Sequence, residues 1–213
     1  QDLKMVVKSQ PDAIIIPKVD SIKEMNAVEA KLHQYQKRNK TKFALNYIPL
    51  IESAMGVMNI HDILSSSTNI CALCFGREDL YSETGAKITD NETEMLYIKS
   101  RLILAAAAHG IEAIDSPYLY LNDPDAVAKK ASYAAMLGFA GAQAIHPSQI
   151  EPINNSFLPS EKELSEAYEI VTGFKKSLEE NQPIFVYKGK MMDLPIVEVY
   201  ERILQKGKAA NLV

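Results

Sequence analysis

The chain has 213 residues, 47% apolar and 23% charged, enough for one sizeable buried core. Its net charge of −4 and isoelectric point near 5.6 argue against a nucleic-acid or anionic-membrane partner. No run approaches the ~18 apolar residues of a membrane span. Nothing calls for disulfides, so a reducing compartment is expected: the cytoplasm, or the mitochondrial matrix in a eukaryote.

Residues 1–8 read as the end of a preceding helix. The first apolar run is Ala13–Pro17. A helix is predicted over Ser21–Lys40, opened by a capping box (Ser21, Glu24) and carrying Met25, Val28, Leu32 and Tyr35 at helical intervals. Further apolar runs follow at Tyr47–Glu52, Ile70–Gly76, Glu112–Asp115 and Ala142–His146. Helices are predicted between them at Asn91–His109 and Asp123–Leu137, each stopped by a glycine, Gly110 and Gly138. Strand and helix alternate at the spacing of βα units, so the sheet is expected to be parallel. Cys71 and Cys74 lie inside the third run. Strand alternation puts them on opposite sides, as small buried residues and not as a redox or zinc pair.

After Pro147 the pattern changes. A helix over Ser160–Leu178 has its own capping box (Ser160, Glu163). A β-like stretch over 184–187 leads to a Lys188-Gly189-Lys190 turn, then Met191–Pro195 and a last helix.

Two of the apolar runs end in an acid. Tyr47–Glu52 ends in Glu52, and Asp79 stands just past Ile70–Gly76. In a parallel α/β sheet these ends lie side by side at the rim where such folds bind ligands. Two converging carboxylates repel unless a cation sits between them, and two acidic oxygen ligands completed by water and substrate are how Mg²⁺ is commonly held. Acids past a strand also cap helices or pair with surface lysines. Finding both at matching positions favours the metal.

Several stretches together resemble the citrate lyase β-subunit-like CoA-ester lyases of the HpcH/HpaI aldolase superfamily. They are Ile16–Val19, Leu50–Gly56, Phe75–Leu80, Ala113–Ser116, Gly138–Gly141, Ala144–Ile150 and Gly189–Pro195. There are two departures. The family's first three strands, with its Asp-Leu-Glu-Asp segment and catalytic Arg, have no counterpart. Ala142 also stands where the family usually has Lys.

The resemblance implies a (β/α)8 TIM-barrel type of fold without the first three βα units, part of a protein of roughly 300 residues. Residues 1–155 would be the last five units and 156–213 a helical and lid extension. It implies a Mg²⁺-dependent carbon–carbon lyase on an acyl-CoA thioester such as citryl-, malyl- or citramalyl-CoA. The alternatives are an aldolase on free oxo-acids, or a non-catalytic paralogue serving as a binding or regulatory subunit. Glu52 and Asp79 would hold the metal. Gly76, Arg77 and Glu78 would receive the acid end of the substrate, chiefly through backbone N–H groups. Asp193 would be a catalytic acid–base residue on a lid exchanged within a homotrimer; the residues alone also fit an N-cap before Pro195. Lys18 either steers anionic groups or is solvated. His146 is either a structural histidine or part of the substrate wall. Asp115 is a candidate supporting acid behind the site.

Overall fold

The computed structural model describes residues 2–212. The apolar runs form strands β1 (Ala13–Ile16), β2 (Asn46–Ile51), β3 (Ala72–Phe75), β4 (Glu112–Asp115) and β5 (Gly141–Ala142). They pair in sequence order, β1-β2-β3-β4-β5, and every pair is parallel. The crossovers carry helices, as parallel neighbours require. These are α2 (Ile22–Arg38), α3 (Ala54–Met58), α4 (Ile60–Ser65), α5 (Arg77–Thr84), α6 (Leu96–Ala108) and α7 (Pro124–Leu137), with α1 (Asp2–Ser9) ahead of β1. The expected helix over residues 1–8 is thus present from Asp2, and Gln1 lies outside the described residues. The fold is α/β with a central parallel sheet. Among the described residues β1 and β5 do not pair with each other, so the sheet is open.

The predicted runs differ from the strands at their ends. The third begins at Ala72, and Ile70 makes only a single bridge to Tyr47. Cys71, just ahead of the strand, is exposed, which corrects the reading of both cysteines as buried. Cys74 is buried inside β3, and that burial, with Cys71 nearby, pushes its thiol up to about 11. The fifth run stops after Ala142. The Ile145 N–H, which a longer strand would give to a neighbour, is taken by the Gln149 side chain at 2.9 Å, and Pro147 starts a 3-10 turn.

Helix ends follow local chemistry. Gly110 and Gly138 take positive φ at the ends of α6 and α7. Asp123 caps α7 by accepting from the Ala126 N–H. At Ser21 the hydroxyl accepts from Lys23 N–H and donates to the Glu24 carboxylate, a variant of the box expected there. In α2, Met25 and Leu32 are buried, with Val28 and Tyr35 half-buried beside them.

The chain divides into two compact units, one ending at Ser156 and one starting at Phe157. Helix α8 (Ile150–Phe157) spans that boundary. In the second unit α9 (Glu161–Glu179) opens on a complete Ser160/Glu163 capping box. It is followed by an antiparallel hairpin of β6 (Phe185–Tyr187) and β7 (Lys190–Met192), then α10 (Leu194–Ala209). Met191 and Met192 were not expected to be a strand. The Lys188-Gly189 turn, both residues at positive φ, folds them back onto β6. Ile170, Val171, Phe174, Met192 and Val197 form the core of this unit. A Cβ at Gly173 would sit 2.7 Å from the Phe185 ring, so glycine lets β6 close on α9.

Candidate functional site

The C-terminal ends of β2 and β3 hold the two acids. Glu52 directly follows β2, and Asp79 is the third residue of α5, which begins one residue after β3. Both line two adjoining clefts of the first unit, of about 160 and 190 Å³. The closeness of the strand ends is built into the sequence. A Cβ at Gly76 would lie 2.5 Å from the Glu52 Cβ and 3.0 Å from its Oε2, so only glycine admits the Glu52 side chain there. Lys18 turns after β1 with φ +54 and donates its backbone N–H to Glu52 Oε1 at 2.8 Å. Its contribution to holding Glu52 comes from the backbone, while its side chain is exposed in the same cleft.

Sequence reasoning missed two further acids there. Asp20 and Glu83 line the cleft with Glu52 and Asp79, against the one cation Lys18. Asp20 accepts from the Ser53 hydroxyl, and Glu83 accepts from the Ala54 N–H at 2.8 Å. Both are thereby tied to the start of α3. Asp79 carries no hydrogen bond among the described residues, and Glu52 keeps Oε2 free of one. Two available carboxylates in an acid-rich cleft fit a Mg²⁺ ion, which takes few protein ligands and keeps its other positions for water or substrate. Among the described residues no three metal-ligating side chains gather into a closed cage.

Of the other predicted residues, Gly76, Arg77 and Glu78 line one of these clefts; His146 is not among the lining residues, and Asp193 belongs to the second unit. Gly76 precedes α5 and offers no side chain to cap it, so the first-turn N–H groups of α5 face the cleft rim without a side-chain acceptor. The Arg77 side chain is buried and turned away from solvent. It pairs with Glu92 at 2.6 Å and Glu78 at 3.0 Å, and donates to the Pro117 carbonyl at 3.3 Å. Glu78 is thus occupied by its neighbour. His146 accepts from the Ser148 N–H and bonds the Ser148 hydroxyl at 2.8 Å, capping the 3-10 turn. Asp193 caps α10 by accepting from the Ile196 N–H at 3.3 Å. Gln143, also missed, lines the cleft and donates to the Phe75 carbonyl at 3.0 Å, joining the ends of β3 and β5.

Residues 1–147 match the HpcH/HpaI aldolase/citrate lyase family. The chain belongs to that family. It is 29% identical over 202 residues to the mitochondrial citramalyl-CoA lyase of Mus musculus, covering 91% of this chain and 60% of that protein. The chain therefore spans about three-fifths of the length of that relative. A citrate lyase from Burkholderia xenovorans LB400 shares the fold at TM-score 0.86 and 19% identity, over 100% of this chain and 69% of that one. The CitE protein of Mycobacterium tuberculosis, solved with magnesium and pyruvate, is 25% identical at TM-score 0.59, over 75% of this chain and 63% of that one. The family match takes in both acids, Lys18 and His146; Asp193 lies beyond it.

Behind the clefts this HpcH/HpaI chain holds a buried charge network. Lys99, fully buried on α6, pairs with Glu92 at 2.7 Å and with Asp115 at the end of β4 at 2.9 Å. Arg77 and Lys130 also reach Glu92. Burial raises the Glu92 carboxyl, but Lys99, Arg77 and Lys130 outweigh it and hold the group below its ordinary value. Burial, with Asp115 beside it, pushes the Tyr118 hydroxyl far up, and that hydroxyl donates to Asp115 at 3.1 Å. Asp115, the acid expected to support the site, has the buried Lys99 as its partner. A signal for it was present: Met95, Lys99, Leu102 and Ala106 share one helical stripe, and all four are buried.

Proposed function

We propose that the chain carries the metal and oxo-acid subsite of a Mg²⁺-dependent carbon–carbon lyase acting on an acyl-CoA thioester such as citramalyl-, malyl- or citryl-CoA. The observation that carries this reading is the sharing of two clefts by Glu52 and Asp79 beside the uncapped start of α5. The citramalyl-CoA lyase relative and the magnesium and pyruvate of the CitE complex support it.

Glu52 and Asp79 would hold the ion. Bound there, Mg²⁺ supplies Lewis acidity to the carbonyl and carboxylate oxygens of the oxo-acid portion. The first-turn N–H groups of α5 receive the substrate carboxylate, aided by the helix dipole, and Gly76 keeps the approach clear. Arg77 engages Glu78, and among the described residues Asp79 is left as the unpaired acid of this turn in the cleft. The missing barrel strands, the exchanged lid and the homotrimer belong to this reading, with Asp193 moving a proton in a neighbouring subunit's site and the lyase working in the cytoplasm or the mitochondrial matrix.

The test is calorimetric titration of Mg²⁺ and Mn²⁺ into the chain. Glu52→Gln and Asp79→Asn should each weaken binding about tenfold or more, while Glu78→Gln changes it less. Wild-type affinity in both variants would sink the metal assignment. Pyruvate release from citramalyl-CoA, compared with cleavage of the free hydroxy-acid, separates a CoA lyase from an aldolase on free oxo-acids. For the lid, Asp193→Asn in the full-length protein should lower turnover about 10²-fold, the scale of a lost acid–base group. An unchanged rate would leave Asp193 as a cap alone.

A further inference from the structure

His61 and His109 are 48 residues apart in sequence and meet side by side in the first unit. His61 Nδ1 lies 3.0 Å from His109 Nε2, with ring centroids 4.9 Å apart and ring planes inclined by 50°. A straight N–H···N contact of that length would set the centroids roughly 5.3 Å apart, adding about 1.15 Å from each nitrogen to its ring centre. The shorter separation means that the contact is bent. Both residues are held by their elements. His61 sits in α4. His109 ends α6, its backbone N–H donating to the last carbonyls of that helix, and α4 packs against α6. His61 is exposed and His109 half-buried, so solvent reaches the pair.

We propose that His61 and His109 form a two-imidazole site for a divalent transition ion such as Zn²⁺, Ni²⁺ or Cu²⁺, which ties α4 to the end of α6. Imidazole–metal bonds are about 2.0–2.1 Å, so at the common angles of roughly 90–110° two ligating nitrogens stand about 2.9–3.4 Å apart. The observed 3.0 Å falls in that span. The two rings share one hydrogen bond. Giving up one solvent-reached bond costs about 1 kcal/mol or less in general, so an ion displaces it readily. Water fills the remaining positions.

The site stands apart from the proposed Mg²⁺ subsite and does not rest on it. Neither histidine lines the clefts around Glu52 and Asp79. The ligand chemistry also differs. Carboxylate oxygens suit hard Mg²⁺, and imidazole nitrogens suit the later transition ions. One unit would therefore sort two classes of ion by ligand type.

The experiment is calorimetric titration of Ni²⁺ and Zn²⁺ into the tag-free chain near neutral pH, with excess Mg²⁺ present to occupy oxygen sites. One equivalent should bind. His61→Ala and His109→Ala should each weaken binding about tenfold or more, and His33→Ala, on exposed α2 surface, should leave it unchanged. With Cu²⁺, electron paramagnetic resonance should show nitrogen couplings from two imidazoles. His61→Gln, which keeps a hydrogen-bonding group, should lose the ion as His61→Ala does, and circular dichroism of each variant should match the parent fold. Absence of saturable binding, or binding that survives both alanine variants, would overturn the proposal and leave the pair as a hydrogen bond.

Discussion

Lys99 and Phe174 are both buried, each at the centre of its own unit, and their surroundings differ in kind. Lys99 lies between Glu92 and Asp115, with the rings of Tyr133 and Phe139 each 5.7 Å from its Nζ. Phe174 lies among Ile170, Val171, Met192 and Val197, with the Phe185 ring 6.4 Å away. The first unit thus keeps a network of acidic and basic side chains in its interior behind an acid-rich cleft, and the second packs almost wholly by apolar contact. Buried ion pairs add little net stability over well-packed apolar groups, and they leave costly orphans when one partner is lost. Apolar packing is graded, because each methylene removed costs its own share. The lesson is that the first unit accepts fragile chemistry where orientation matters, since the same network anchors Arg77 under the start of α5 and Asp115 at the end of β4.

That contrast can be broken in four steps of falling size. Lys99→Met leaves buried Asp115 without its cation and Glu92 with two of its three, and should cost about 3–5 kcal/mol of first-unit stability, read by denaturant unfolding; a loss below about 1 kcal/mol, the scale of a surface pair, would show the network to be incidental. Ile170→Val removes one methylene from the second core and should cost about 0.5–1.5 kcal/mol. Asp193→Ala removes the α10 cap and should cost about 1 kcal/mol, whereas Asp193→Asn, an equally good cap, should cost almost nothing. A matching loss in the asparagine variant would mean that the charge, and not the cap, stabilises α10.

The smallest expected effect is a pH dependence confined to the acid side. Glu92 is held below its ordinary value in the folded protein. Its stabilisation is therefore fully present above the unfolded value of about 4.3 and is lost as pH falls through the folded one. Acid titration followed by unfolding should weaken the first unit before the second. In Glu92→Gln that acid sensitivity should shrink, on top of a lower stability at neutral pH.

Much of the fold was legible because the strands are short apolar runs and the helix ends carry their own chemistry. Ser160 with Glu163, Asp123, Gly110 and Gly138 each act within a few residues, so a sequence reader meets them whole. That Glu52 and Asp79 line the same clefts was legible for a similar reason: in a sequential parallel sheet, neighbouring strand ends are neighbours in space. Missed were Asp20, Glu83 and Gln143: Asp20 and Gln143 reach the clefts by the chain path after β1 and β5, and Glu83 by how α5 lies beside α3. The short β7 was also missed, since Lys190–Met192 has no strand signal until the turn at Gly189 gives it β6 as a partner.

The sequence by itself determined a parallel βα order and two acids at neighbouring strand ends, because these rest on periodicity and strand-end position. Only the tertiary structure decided that Arg77 is buried against Glu92, that Lys99 bridges Glu92 and Asp115, and that His61 meets His109. A charged side chain has the same local preferences whether solvated or buried. Its fate is set by which distant group arrives within about 3 Å to compensate its desolvation, and that is a property of the folded chain.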